Sequence, residues 1–78
     1  WDLRFGITAP TIEKANLKRD LAHIISHKVL VADSSKYGKS QLYEVAKLRE
    51  IDTIITDSNL PAEAADAILN LGVELILV

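Results

Sequence analysis

A run of polar and charged residues follows directly on a short apolar segment in the first half of the chain. The apolar segment covers residues 29–32, and the polar residues after it are Asp33, Ser34, Ser35 and Lys36. Short apolar runs rich in β-branched residues and bounded by turn residues are typical of a strand buried on both faces. In open α/β sheets the carboxyl ends of such strands open onto the ligand crevice. These four side chains therefore predict a site for a small polar ligand, and the alternative is a solvated turn.

Lys18 is the second feature that points to such a site. A helix predicted over residues 12–27 has one apolar face, or arc, made of Leu17, Leu21, Ala22, Ile24 and Ile25. Lys18 lies inside this arc, between Ile25 and Ala22, and Arg19 lies at its rim. Because burial of an unpaired ammonium is costly, this lysine either extends to water or meets an anion. Cations bind a phosphate and a carboxylate accepts hydrogen bonds from hydroxyls, so two lysines beside an acid suit a phosphorylated polyol.

The other chemistries that the residue types allow find little support. His23 and His27 have the i, i+4 spacing of a metal-ligand pair, but they fall on the polar side of the predicted helix with no third ligand nearby. The serines lack a histidine spaced for a nucleophile, no glycine-rich phosphate loop is present, and the chain has no cysteine. We therefore predict no catalytic residue, metal or cofactor. Asp57, which ends another apolar run, is either a turn residue or a second acid facing the crevice.

Composition limits the class of protein. The 78 residues, of which 49% are hydrophobic, suffice for one small domain, and the absence of methionine predicts that they are a piece of a longer protein. A formal net charge of -2 argues against a bare nucleic-acid-binding domain, which needs a basic face. No apolar stretch has the length of a membrane span and no signal peptide is visible, so we predict a soluble cytoplasmic protein without a membrane partner.

Helical and apolar segments alternate along the chain. After an irregular lead-in over residues 1–11, the pattern predicts a helix over 12–27, capped by Thr11, and a strand over 28–33. A weaker strand over 41–46 and a short turn over 48–50 follow. The last elements are a strand over 53–57, a helix over 60–71, capped by Ser58 or Asn59 and closed by Gly72, and a strand over 73–78. Strands that are apolar throughout predict an α/β fold, a mostly parallel sheet flanked by helices. Two helices cover three central strands incompletely, which predicts a partial domain.

Several motifs occur in an order that resembles a known family. They are Gly-Ile-Thr-Ala-Pro, Lys-Arg, Val-Ala-Asp-Ser-Ser-Lys-Tyr-Gly and Ile-Asp-Thr-Ile-Ile-Thr-Asp, at residues 6–10, 18–19, 31–38 and 51–57. The series resembles the C-terminal half of the effector-sensing domain of DeoR-family bacterial transcriptional regulators. This resemblance implies a repressor of sugar or polyol metabolism whose sensor domain binds a phosphorylated sugar. It also implies that residues 1–78 are part of a single sensing domain, with its first half and an N-terminal helix-turn-helix DNA-binding domain absent.

The same sensor fold is similar to ribose-5-phosphate isomerase, which implies a Rossmann-like, isomerase/CoA-transferase-like architecture. In that enzyme a strand also ends in an Ala-Asp-x-Ser-Lys pattern like residues 32–36, so an isomerase-type fragment is the alternative function. An ungapped comparison puts Lys18 at or beside the catalytic glutamate of the isomerases, and a lysine cannot act as that carboxylate base. We therefore expect a sensor, not an enzyme.

The expected mechanism is allosteric. A sugar phosphate would bind across the carboxyl ends of the strands, where Lys18 and Lys36, joined by Arg19, would contact its phosphate or its other oxygens. Asp33 would either accept hydrogen bonds from its hydroxyls or hold Lys36 in place. Binding would shift a homo-oligomer between arrangements that differ in operator affinity, with DNA contacted only by the absent N-terminal domain.

Overall fold

The computed structural model describes residues 1–78 and shows an α/β chain of five strands and two helices. In chain order they are β1 (Ile7–Ala9), α1 (Ile12–Ile24), β2 (Val29–Val31), β3 (Tyr43–Ala46), β4 (Thr53–Thr56), α2 (Ala62–Asn70) and β5 (Glu74–Leu77). Two short 3-10 helices, Ser34–Lys36 and Leu48–Glu50, follow β2 and β3. Neither α-helix is long and apolar enough to cross a membrane.

Three of the strands form a parallel sheet in the order β2-β4-β5. The pairing aligns Leu30 with Ile54 and Ile54 with Leu75. Since the strands are parallel, the segments that follow β2 and β4 meet at the same edge of the sheet. The predicted strands over residues 28–33, 53–57 and 73–78 and the parallel sheet are therefore confirmed, with each strand slightly shorter than expected.

Strands β1 and β3 form a separate antiparallel pair. The prediction of an irregular lead-in over residues 1–11 is wrong here, because Ile7–Ala9 pairs with Tyr43–Ala46. Gly6 makes this pairing possible: its φ of +72° is left-handed, and a Cβ at this position would collide with the Ala46 carbonyl. The predicted weak strand over residues 41–46 is confirmed, but it lies outside the parallel sheet.

The hydrophobic core lies on one face of the parallel sheet. Ile54 and Ile68 are fully buried at its centre, and Trp1, Ala46, Leu48, Ile51, Leu60, Ala64 and Val73 complete it. Side chains alternate between faces along a strand, so Val29, Val31 and Ile76 point to the opposite face. There Val31 is 73% exposed and Val29 48%. The expectation that two helices leave part of this sheet uncovered is confirmed.

Helix α1 begins as predicted but packs differently. The Thr11 hydroxyl accepts the Lys14 N–H at 3.3 Å, as an N-cap should. The helix ends at Ile24 and not at residue 27, because an extended connection is needed before β2 can begin beside β4. Ala15 is the buried residue of α1 and Ala22 is half-buried, since small side chains allow close approach to β1 and β3. The expected apolar arc is largely exposed instead, at Leu17, Leu21, Ile24 and Ile25.

Helix α2 begins later than the predicted range of 60–71. Its N-cap is Pro61, without a side-chain hydrogen bond, so the predicted caps Ser58 and Asn59 are wrong. Both residues belong instead to the turn after β4, in which the Leu60 N–H donates to the Asp57 carbonyl at 3.3 Å. Gly72, with a φ of +83°, follows the helix as predicted.

Candidate functional site

The turn after β2 brings four of the predicted site residues together. Asp33 is the N-cap of the 3-10 helix Ser34–Lys36, and its Oδ1 accepts the Ser35 N–H at 3.4 Å. The Asp33 carbonyl accepts the Lys36 N–H at 3.1 Å. Asp33, Ser35 and Lys36 are exposed, while Ser34 is half-buried. This tight turn, called the Asp33–Lys36 turn below, therefore presents a carboxylate, an ammonium and a hydroxyl to solvent.

Asp57 holds this turn from the neighbouring strand. One of its carboxylate oxygens, Oδ2, accepts the Ser34 N–H at 3.3 Å, and the other, Oδ1, accepts the Asn59 N–H at 3.1 Å. A hydrogen bond from the Ser34 side chain is the main cause that holds the pKa of Asp57 below its usual value near 3.8. The Asp33 side chain and the two backbone N–H groups act in the same direction, against burial, which raises the pKa. Asp57 is therefore a turn residue, and its carboxylate contacts the backbone of the Asp33–Lys36 turn.

Trp1 also contacts the Asp33–Lys36 turn and the residue that follows it. Its indole N–H donates to the Asp33 carbonyl at 3.3 Å, and its ring meets the Tyr37 ring edge-on with centroids 5.0 Å apart. Burial, and then the nearby carboxylates of Asp2 and Glu63, raise the pKa of the Tyr37 phenol. The sequence reasoning missed Trp1; the available signal was that a buried indole usually finds a hydrogen-bond acceptor.

The Thr56 hydroxyl is a buried polar group near this site but not part of it. Thr56 is 2% exposed and its hydroxyl has no hydrogen-bond partner. Alternation along β4 puts its side chain on the same face as Ile54, which belongs to the core. Its side chain therefore points to the packed face of the sheet.

Lys18 and Arg19 have surroundings of their own on α1. Lys18 is exposed and lines an open cleft of about 450 Å³ between α1, β2 and β3, whose lining is mainly apolar. None of the residues of the Asp33–Lys36 turn lines this cleft. The Arg19 guanidinium donates to the Asn16 side chain and to the Glu44 carbonyl, which ties α1 to β3. The structure thus gathers four of the six predicted residues on one turn.

The two histidines do not form a helical pair. His27 lies beyond the end of α1; its Nδ1 is 3.8 Å from Asp52 Oδ2, and its Nε2 is 3.4 Å from the Thr53 hydroxyl. The prediction that His23 and His27 lie on the same face of one helix is therefore wrong. No three histidine, cysteine, aspartate or glutamate side chains are grouped so that they could hold a metal ion.

The chain is similar to a set of bacterial and archaeal transcriptional regulators. It is 40% identical over 78 residues to an uncharacterized HTH-type transcriptional regulator of Haemophilus influenzae, covering 100% of this chain and 30% of that protein. It is 38% identical over 73 residues to the HTH-type transcriptional repressor GlcR of Bacillus subtilis, with 92% and 28% covered. The L-fucose operon activator of Haemophilus influenzae is 40% identical over 47 residues, with 60% and 19% covered. The chain thus spans less than a third of each of these relatives.

The family comparison covers most of the chain. The model of the DeoR C terminal sensor domain matches residues 1–58, which include the Asp33–Lys36 turn and Asp57. No solved structure matches the chain significantly. The relatives are transcriptional regulators and not enzymes, so the expectation of a sensor is confirmed over that of an isomerase. On these matches, the chain belongs to the DeoR C-terminal sensor-domain family.

Proposed function

We propose that this chain is the effector-binding part of a transcriptional repressor of sugar or polyol metabolism, and that its effector is a phosphorylated sugar. The observation that carries the proposal is the Asp33–Lys36 turn, exposed at the carboxyl edge of the parallel sheet in a DeoR sensor domain. Ligands of open α/β sheets bind at this edge. The name of one relative, the L-fucose operon activator, refers to a sugar, which supports a sugar-related effector.

Each proposed contact follows from the chemistry of an exposed group. The Lys36 ammonium would bind the phosphate, and the hydroxyls of Ser34 and Ser35 would donate to phosphate or sugar oxygens. Asp33 would accept hydrogen bonds from sugar hydroxyls. Lys18 would be a second cation, reaching the ligand from α1, and Arg19 an auxiliary one, since its two hydrogen bonds use only part of its donor set.

The rest of the protein completes this proposal. We propose that residues 1–78 form part of one sensing domain with a Rossmann-like, isomerase/CoA-transferase-like sheet, and that a helix-turn-helix domain elsewhere in the protein binds DNA. The length of the relatives, of which the chain spans 30% or less, supports such a division. A protein that acts on operator DNA would work in the cytoplasm. Effector binding would then shift a homo-oligomer between states of different operator affinity.

Titration of the full-length protein tests this proposal. Calorimetry with pentose and hexose phosphates, each beside its unphosphorylated sugar, should give tight binding for a phosphorylated member only. Replacing Lys36 with Met keeps the apolar stem and removes the charge. This variant should bind about ten- to a hundredfold more weakly, because charge-assisted hydrogen bonds contribute about 1.5–3 kcal/mol.

Lys14→Met is the matched control, since Lys14 is an exposed lysine in the first turn of α1. It should bind the effector as the parent does. Operator binding in a mobility-shift assay should respond to the same phosphorylated sugar. Equal binding of phosphorylated and unphosphorylated sugars, or full affinity in Lys36→Met, would contradict the proposal.

A further inference from the structure

Two aspartates flank β4 and make the same kind of contact at opposite edges of the sheet. Asp52, just before β4, accepts the Lys28 N–H on Oδ2 at 2.6 Å. Asp57, just after β4, accepts the Ser34 N–H on Oδ2 at 3.3 Å. Each carboxylate therefore fastens a backbone segment next to β2 to the neighbouring strand. Only the Asp57 contact is made at the carboxyl edge, where the Asp33–Lys36 turn lies.

Both oxygens of Asp57 are occupied by backbone groups. Oδ2 accepts from Ser34, in the Asp33–Lys36 turn, and Oδ1 accepts from Asn59, in the turn that precedes α2. The carboxylate therefore joins the two turns at this edge of the sheet. Hydrogen bonds to an ionised acceptor are about twice as strong as those between neutral groups, which makes this an effective link.

Asp33 differs from Asp57 in how far its carboxylate is exposed to solvent. Its Oδ1 accepts the Ser35 N–H at 3.4 Å and its side chain is exposed, whereas Asp57 is half-buried. The Asp33 carbonyl is held at the same time by the Trp1 indole N–H. The turn is therefore fixed at its backbone on both sides, by Trp1 and by Asp57, while the side chains of Asp33 and Lys36 are exposed to a ligand.

We propose that Asp57 is a positioning residue of the effector site, which holds the Asp33–Lys36 turn in its ligand-binding conformation without touching the ligand. This inference rests on the function proposed above. A turn fixed before binding loses less conformational entropy when the ligand arrives, so the gain appears as affinity. Asp52 makes the corresponding contact at the far edge and has no such role.

Hydrogen exchange of the full-length protein, followed by mass spectrometry on peptides covering residues 32–38, tests this inference, with inorganic phosphate as the probe. The Asp57→Asn variant has nearly the same shape but a single acceptor oxygen, so Ser34 or Asn59 loses its partner. Exchange in the free variant should be about tenfold faster in this segment than in the parent, because the turn opens more easily once it has lost a hydrogen bond to a charged acceptor. Phosphate should slow exchange there in the parent and fail to do so in Asp57→Asn.

Two further variants separate positioning from general stabilisation. Asp52→Asn removes the equivalent contact with Lys28, so it should lower the unfolding temperature while residues 32–38 keep the parent's exchange and its phosphate response. Asp57→Glu restores a carboxylate and should recover part of the phosphate response. Phosphate protection in Asp57→Asn equal to that in the parent would overturn the inference. No protection in the parent would instead count against the proposed function itself.

Discussion

At the residue scale, the two acids at the carboxyl edge of the sheet differ through their surroundings. Asp33 is exposed and accepts one hydrogen bond within its own turn. Asp57 accepts two backbone N–H groups, and hydrogen bonds led by that from the Ser34 side chain lower its pKa. Asp57 is therefore ionised throughout the neutral range, which suits a permanent link between turns.

The lowered pKa of Asp57 predicts an acid-sensitive contribution to stability. A carboxyl whose pKa is lower in the folded than in the unfolded state stabilises the fold above its unfolded pKa, near 3.8, and loses this contribution as the pH falls through its folded pKa. When the pH is lowered from above 3.8 through the folded pKa, the unfolding temperature of the full-length parent should fall further than that of Asp57→Asn. Thermal unfolding followed by circular dichroism at a series of pH values measures it, and equal losses in both proteins would contradict the prediction.

Replacing Lys18 with Met should weaken effector binding without lowering the stability of the fold. Lys18→Met should weaken binding of the phosphorylated effector by about ten- to a hundredfold, as expected for a lost charge-assisted contact. The free energy of unfolding should stay the same or rise, because the methionine suits the largely apolar cleft that Lys18 lines. Calorimetry and denaturant unfolding of the same variant measure both. Unchanged affinity together with higher stability would assign Lys18 a packing role alone.

At the element scale, the parallel strands could be predicted from their apolar runs, whereas strand β1 and the packed face of α1 could not. β2, β4 and β5 are short apolar runs bounded by turn residues, so the sheet and its polar edge followed from the sequence. β1 has three residues with no clear alternation, and its partner β3 lies over thirty residues away, so pairing could not be foreseen. The packed face of α1 was misassigned because Ala15, the buried residue of this helix, carries little hydrophobic signal.

The pairing of β1 with β3 depends on Gly6. Gly6→Ala should destabilise the protein by about 3 kcal/mol or more, because the left-handed backbone costs about 1 kcal/mol and the new Cβ would also collide with the Ala46 carbonyl. Gly38→Ala is the matched control, since Gly38 has a φ of +84° with open space around its Cβ position. It should cost only about 1 kcal/mol. Urea unfolding measures both, and equal losses would show that the contact with Ala46 is not limiting.

At the scale of the whole molecule, two elements expose apolar side chains that neighbour one another on the same surface. One is the open face of the parallel sheet, with Val31 73% exposed, and the other is the arc of α1, with Ile24 80% exposed and Leu17 62%. Both faces of a parallel sheet are usually covered, and β2 also has an unpaired edge. These surfaces are therefore suited to contact with further polypeptide.

Residues 1–78 expressed by themselves should consequently self-associate. Light scattering should show a mass that rises with concentration, because large exposed apolar patches favour association. Val31→Lys combined with Ile24→Lys should reduce this mass. Leu42→Lys is the control, since Leu42 is 78% exposed in the loop before β3. A stable monomer of the unaltered chain with one sharp unfolding transition would contradict the prediction.

The pair of aspartates around β4 also restricts how the length of this chain can change. β4 has four residues, and Asp52 and Asp57 reach the backbone next to β2 only because this strand has that length. A single inserted residue would reverse the faces of every side chain beyond it, so Asp57 would lose Ser34 or Ile54 would leave the core. The loop between Gly38 and β3 has one contact with β1, from the Gln41 N–H to the Thr8 hydroxyl at 2.7 Å, and a residue added before Gln41 would change the face of no strand. Loops accept added residues at little cost. Insertions and deletions should therefore accumulate in that loop, while β4 acts as a spacer of fixed length.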